Sequence, residues 1–145
     1  MKTWLCGSVA LWLVSAAVAP MLAQAPAPRN VWDGVYTAPQ ADRGDTLFAE
    51  RCATCHGGDM KGGAGVPGLA GLEFLVGWNG LNAWGVMETM KSSMPADNPG
   101  GLTDMQYADL LAAIFRGNEF PVSATAPVPT ARPELEAIRI TRTKP

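Results

Sequence analysis

Between Gly57 and Gly71, seven glycines and one proline fall within fifteen residues. A helix or strand through such a stretch would lose too much backbone entropy to persist, so these residues must form loop. A loop of this length without secondary structure of its own is uncommon in a compact domain unless it closes over something. It follows directly on Cys52-Ala53-Thr54-Cys55-His56, and helical signals flank the two segments on both sides.

Upstream, Thr37 and Gln40 have the spacing of a capping box, Pro39 is tolerated in the first turn, and Ala41, Gly44, Leu47 and Phe48 follow at helical intervals. This helix is expected to reach Cys52 or slightly beyond. Downstream, Glu73 to Trp78 fits a short helix. Asn82 is a suitable N-cap for another that runs to about Ser92, with Trp84, Met87 and Met90 at helical spacing and Lys91 in the last turn. Residues 94–101 hold two prolines and two glycines and must again be loop. Thr103 with Gln106 forms a second capping box. The helix it opens is expected to bury Tyr107, Leu111, Ile114 and Phe115 and to end at a left-handed Gly117. Helices joined by glycine-rich loops, without a strand ladder or an internal repeat, predict an all-α domain.

With 145 residues, there is room for one compact domain. Residues 1–25 read as a secretory signal: Lys2, an apolar run from Val9 through Ala19, then small residues before Pro26. Pro20 interrupts a run already shorter than the ~20 residues a bilayer span needs, so the mature chain is expected to be exported, without a membrane span. Cys6 precedes the apolar run and leaves with the signal. Residues 26–36 read as a proline-stiffened linker and N-terminal arm anchored by Trp32 and Tyr36, and 37–120 as the domain. Residues 121–145 read as a proline-rich, solvated tail lying over the surface, with a helical turn near Glu134 to Ile138. Eleven Lys and Arg against thirteen Asp and Glu leave no basic surplus for nucleic acid.

Cys-x-x-Cys-His is the attachment signal for c-type haem. Two sulfurs three residues apart on a helical turn share a face. Cys52 and Cys55 can therefore both form thioethers to one porphyrin edge, and His56 falls where its imidazole reaches the iron. One covalent haem c would give a small domain the apolar core piece it lacks. A disulfide, a redox-active cysteine pair and half of a zinc site compete with this reading. Zinc needs a second pair of ligands, yet His56 is the only histidine and Cys6 the only further cysteine. A thioredoxin-type motif would accompany a βαβ pattern, which is missing.

With one histidine, the second axial position falls to methionine, water, lysine or nothing. Methionine opposite histidine raises the reduction potential and suits electron transfer. Met60 lies too close to His56 to circle to the opposite face, Met87 and Met90 share a helical face and read as core, and Met105 is an ordinary filler in a first turn. Met94 opens a loop after a helix, is pinned by Pro95, and is the expected ligand. The imidazole should donate its other N–H to a carbonyl, for which the Val66-Pro67-Gly68-Leu69 turn is the candidate, although Pro67 fits a plain loop stiffener as well. Trp78, Asn79 and Trp84 offer N–H donors for the haem propionates, while core packing is their ordinary role.

With Cys52 to His56, Met94-Pro95 and the terminal helices in place, the sequence resembles a class I cytochrome c over about Thr37 to Asn118. The resemblance implies that the first and last helices cross at Gly44, with Phe48 four residues on and Ala113 where an aromatic is usual. It also supports Pro67, eleven residues after His56, as the brace of the imidazole. Val31-Trp32-Asp33-Gly34-Val35-Tyr36-Thr37, Gly77-Trp78-Asn79-Gly80-Leu81 and Ala137-Ile138-Arg139-Ile140 are similar to small bacterial cytochromes that accompany pyrroloquinoline-quinone dehydrogenases. That likeness implies a periplasmic electron carrier, not itself an enzyme, which takes electrons from a dehydrogenase and passes them to an oxidase or another cytochrome. The alternatives are a haem protein with an open sixth position that binds gases or serves as an enzyme subunit, and an assembly module whose haem is incidental.

Overall fold

The computed structural model describes residues 25–145, and the expected signal segment lies outside them but for its last residue. Six helices account for most of the regular structure: α1 (Ala38–Arg51), α2 (Ala53–His56), α3 (Leu72–Gly77), α4 (Ala83–Ser93), α5 (Asp104–Gly117) and α6 (Arg132–Glu136). Two strands of two residues each, β1 (Arg29–Asn30) and β2 (Ile138–Arg139), pair in parallel. The domain is all-α, as its sequence predicts. No helix among the described residues is long and apolar enough to cross a membrane.

The first and last long helices, α1 and α5, form the most extensive packing contact. Gly44 is the reason they approach so closely. A Cβ built there would lie 2.6 Å from the Asp109 carbonyl carbon and 2.9 Å from the Ala113 Cβ. Ala113 thus stands opposite Gly44, small against small, and Phe48 fills the core one turn on. Ion pairs join the two helices on either side of the crossing. The Arg43 guanidinium donates to both carboxylate oxygens of Asp109, at 2.9 and 2.7 Å, and Arg116 reaches Asp42 and Asp45. The α5 contact surface is wider than a stripe: every residue from Tyr107 to Phe115 is buried, Asp109 included. The covering elements close over all sides of this helix, more than a period of 3.6 residues reveals.

Both ends of the described chain belong to the core. Val31 and Val35 from the arm, and Leu135, Ile138 and Ile140 from the tail, are at most 1% exposed. The 121–145 segment does run over the surface, yet it is packed into it and not solvated as its proline content suggests. Trp32 packs edge-on against Phe120 at 5.0 Å and donates Nε1–H to the Thr141 carbonyl, and the Tyr36 hydroxyl donates to the Phe120 carbonyl.

The four capping assignments divide. Thr103 and Gln106 form the expected box at α5, and the Asn82 side chain accepts from the Gly85 N–H at α4. At α1 no box forms, because Gln40 has another partner. Its amide accepts the Val128 N–H at 2.7 Å and donates to the Val128 carbonyl at 3.1 Å, both in buried surroundings, so it takes the place of a neighbouring strand for the tail. Gly117 is not the left-handed terminus expected of it. It stays helical beside Met60, where a Cβ would lie 3.0 Å from the thioether sulfur, and Glu119 takes the positive φ. Replacing Gln40 with Leu leaves both Val128 backbone groups unpaired and is expected to cost about 2 kcal/mol. An unchanged urea midpoint, with Val128 amide exchange no faster, would show the clamp to be dispensable.

Candidate functional site

Helix α1 ends at Cys52, whose backbone breaks the helical path before α2 carries Cys55 and His56 onward. The Cys52 N–H still bonds to the Phe48 carbonyl, and the Cys52 carbonyl accepts from Cys55 and His56 at 3.1 and 2.9 Å. The motif is therefore a single helical turn set at an angle on the end of α1. Cys55 is exposed and Cys52 half-buried. Burial pushes the Cys52 thiol above its ordinary range, Cys55 adds to this, and Arg51 opposes it. Among the described residues no three His, Cys, Asp or Glu side chains gather as they would around one ion.

His56 is buried, and its Nδ1 lies 3.0 Å from the Pro67 carbonyl oxygen. A carbonyl only accepts, so Nδ1 carries the proton and Nε2 is left with its lone pair free for a metal. The loop reaches this position through Gly62, at φ +67°. Its N–H bonds to the His56 carbonyl at 2.8 Å, and a Cβ on it would lie 2.7 Å from the Pro67 carbonyl carbon. Asn118, just past α5, ties the far side of the same loop, donating to the Leu69 carbonyl and accepting from the Gly71 N–H. The run of glycines marks the loop, but only tertiary contacts mark Asn118. It is a buried polar residue whose local sequence resembles any helix end.

The five methionines occupy different surroundings. Met60 and Met87 are buried core residues, and Met90 packs against the core from its edge. Met105 is 67% exposed on the outside of α5. Met94 caps the C-terminus of α4 with extended backbone and is partly exposed. Its N–H bonds to the Met90 carbonyl at 2.8 Å, and its own carbonyl accepts the Tyr107 hydroxyl at 2.8 Å.

The three proposed donors also differ. Trp78 packs against Phe74, ring centres 6.3 Å apart, and against Gly85. Asn79 commits its Oδ1 to the Arg142 N–H in the tail. Trp84 alone, among the buried side chains described, carries a polar atom with no protein partner, its Nε1. The Arg132 guanidinium stands 5.2 Å from its ring centre.

Residues 39–112 match the family model described as "Cytochrome C oxidase, cbb3-type, subunit III". The chain belongs to this cytochrome c family. The match spans α1 to the middle of α5 and takes in the cysteine pair, His56, Pro67 and Met94. The chemistry of a cytochrome c domain is electron transfer by haem iron, and the residues here fit such a group. They supply one imidazole whose Nδ1 is engaged by a carbonyl, two cysteine side chains on one turn, a thioether on a fixed loop, and a buried indole N–H that lacks an acceptor. In a chain of the sulfane dehydrogenase SoxCD from Paracoccus pantotrophus the similarity is 22% identity at a TM-score of 0.44, over 62% of this chain and 53% of that one. This cytochrome domain therefore spans about half the length of that chain. No curated protein matches the sequence.

Proposed function

We propose that the chain is an exported, periplasmic monohaem cytochrome of class I. In this reading it carries single electrons from a dehydrogenase, of quinoprotein type, to an oxidase or another cytochrome. The observation that carries the reading is the His56 imidazole, fixed through Nδ1 by the Pro67 carbonyl on the same turn that carries Cys55 and follows Cys52. When bound, haem c supplies a one-electron iron couple whose potential its axial ligands tune.

In this reading Cys52 and Cys55 would hold the group covalently, and His56 through Nε2 and Met94 through its sulfur would be the residues offered to the iron. The Pro67 carbonyl fixes the imidazole plane and raises its basicity. Trp84 would donate its unpaired N–H to a propionate, and Trp78 and Asn79 are the further candidate donors. Burial of His56 keeps water from its imidazole. Exposed Leu72, Val76 and Leu81, on and just after α3, offer apolar surface for a redox partner. The near-neutral net charge of −2 suits such a contact better than long-range steering.

Replacing Met94 with Ala tests the axial assignment. The ferric protein is expected to lose its sulfur-to-iron charge-transfer band, and the ferrous protein to bind carbon monoxide rapidly. Survival of the band would exclude Met94. Rapid carbon monoxide binding by the unsubstituted protein would favour the open-site alternative. Electron uptake from a purified quinoprotein dehydrogenase tests the partner.

A further inference from the structure

We propose that Tyr107 is a positioning residue that locks Met94 in place for the iron. The inference rests on the axial role of Met94 proposed above. Tyr107 completes the first turn of α5, is 1% exposed, and points its hydroxyl at the Met94 carbonyl oxygen at 2.8 Å. A phenylalanine would fill the same apolar space. The hydroxyl adds a polar group that must find an acceptor when buried, and the acceptor is the peptide of the ligand residue itself.

The contact completes a two-sided hold. The Met94 N–H is bound by α4 through the Met90 carbonyl at 2.8 Å, and its carbonyl is bound by α5 through Tyr107. Both flanking peptide groups are thus fixed by different helices, which restricts where the half-buried thioether can point. The loop that follows holds its own shape, with the Asn98 N–H on the Pro95 carbonyl at 2.9 Å and the Gly101 N–H on the Asn98 carbonyl at 3.0 Å. Beyond it, Lys91 and Asp104 pair at 2.6 Å, linking the same two helices from their exposed side. A weak, replaceable sulfur ligand on a loop is retained only as long as the loop stays closed. Of the two cross-links, only the tyrosine touches Met94.

The test uses the full haem-loaded chain with three substitutions, Tyr107→Phe, Lys91→Ala and Met94→Ala, read by ferrous carbon monoxide binding and the ferric charge-transfer band. Tyr107→Phe removes one partly buried hydrogen bond and is expected to raise the rate of carbon monoxide entry about fivefold to tenfold. The ferric band should persist, and the amides of Asn98 and Gly101 should exchange faster. Lys91→Ala, which opens an exposed pair, is expected to change the rate less than about twofold. If Tyr107→Phe binds carbon monoxide within twofold of the unsubstituted protein while Met94→Ala binds it rapidly, the positioning role falls and the axial role stands. An equal increase in Lys91→Ala also overturns it, because general loosening of α4 against α5 would then account for the effect. If Met94→Ala changes neither the band nor the rate, the axial reading fails and the inference fails with it.

Discussion

Gly44→Ala is expected to lower the stability of the domain by about 3 kcal/mol, the upper end of the usual cost of overpacking a core. The added methyl has no direction in which to relax. It would meet backbone, the Asp109 carbonyl carbon at 2.6 Å, and a side chain with no rotamers, the Ala113 Cβ at 2.9 Å. Relief therefore requires α1 and α5 to separate, which also loosens the bidentate Arg43 grip on Asp109 and the Arg116 contacts with Asp42 and Asp45. Since α1 ends in the cysteine turn, the same displacement moves Cys52 relative to the rest of the core. Small domains have about 5–15 kcal/mol of stability in total, so a loss of this size is easily read. The measurement is the urea midpoint at constant slope, and a midpoint within error of the unsubstituted protein would mean that the helices do not need to touch here.

The second large effect is expected from Cys52→Ala/Cys55→Ala. Chain purified from cells that mature c-type haem should lose the mass increment of one haem, and its denatured pyridine adduct should lose the spectrum of a thioether-bound porphyrin. Each single variant is expected to retain haem through the remaining thioether, with the adduct band displaced. Cys55 is the exposed member and Cys52 the half-buried one, so Cys52→Ala also removes packing at the junction of α1 and α2 and should be the less stable of the two. Covalent haem surviving in the double variant would refute attachment through this turn. The consequence for folding is large as well. Loss of the haem is expected to lower stability too, because a small domain buries only a modest fraction of its surface on its own.

Much of the site lies in short-range pattern, and this explains how far a sequence alone reaches. The spacing of Cys52, Cys55 and His56 falls within one helical turn, so adjacency in sequence is adjacency in space. The Asn82 and Thr103 caps are legible for the same reason, since donor and acceptor lie three residues apart. The Thr37–Gln40 pair has the same form but not the same outcome. Gln40 finds the Val128 backbone 88 residues away, and a buried two-bond clamp outweighs an exposed cap. Gly117 fails in the same manner: its position after a helical pattern suggests a terminus, whereas its lack of a side chain serves Met60.

What the amino-acid order determined by itself is therefore the set of elements and the reactive turn: helices from periodicity, loops from glycine and proline, and two thiols and an imidazole on one strip of chain. The tertiary structure alone decided which surfaces meet. It placed the tail in the core through Leu135, Ile138 and Ile140, turned Asn79 toward Arg142, left the Trp84 N–H without a protein partner, and set Tyr107 against the Met94 carbonyl. The physical reason is that a hydrogen bond or a close packing contact depends on positions in space. A buried polar group is satisfied by whatever partner the whole fold brings within about 3 Å, however distant that partner is along the chain.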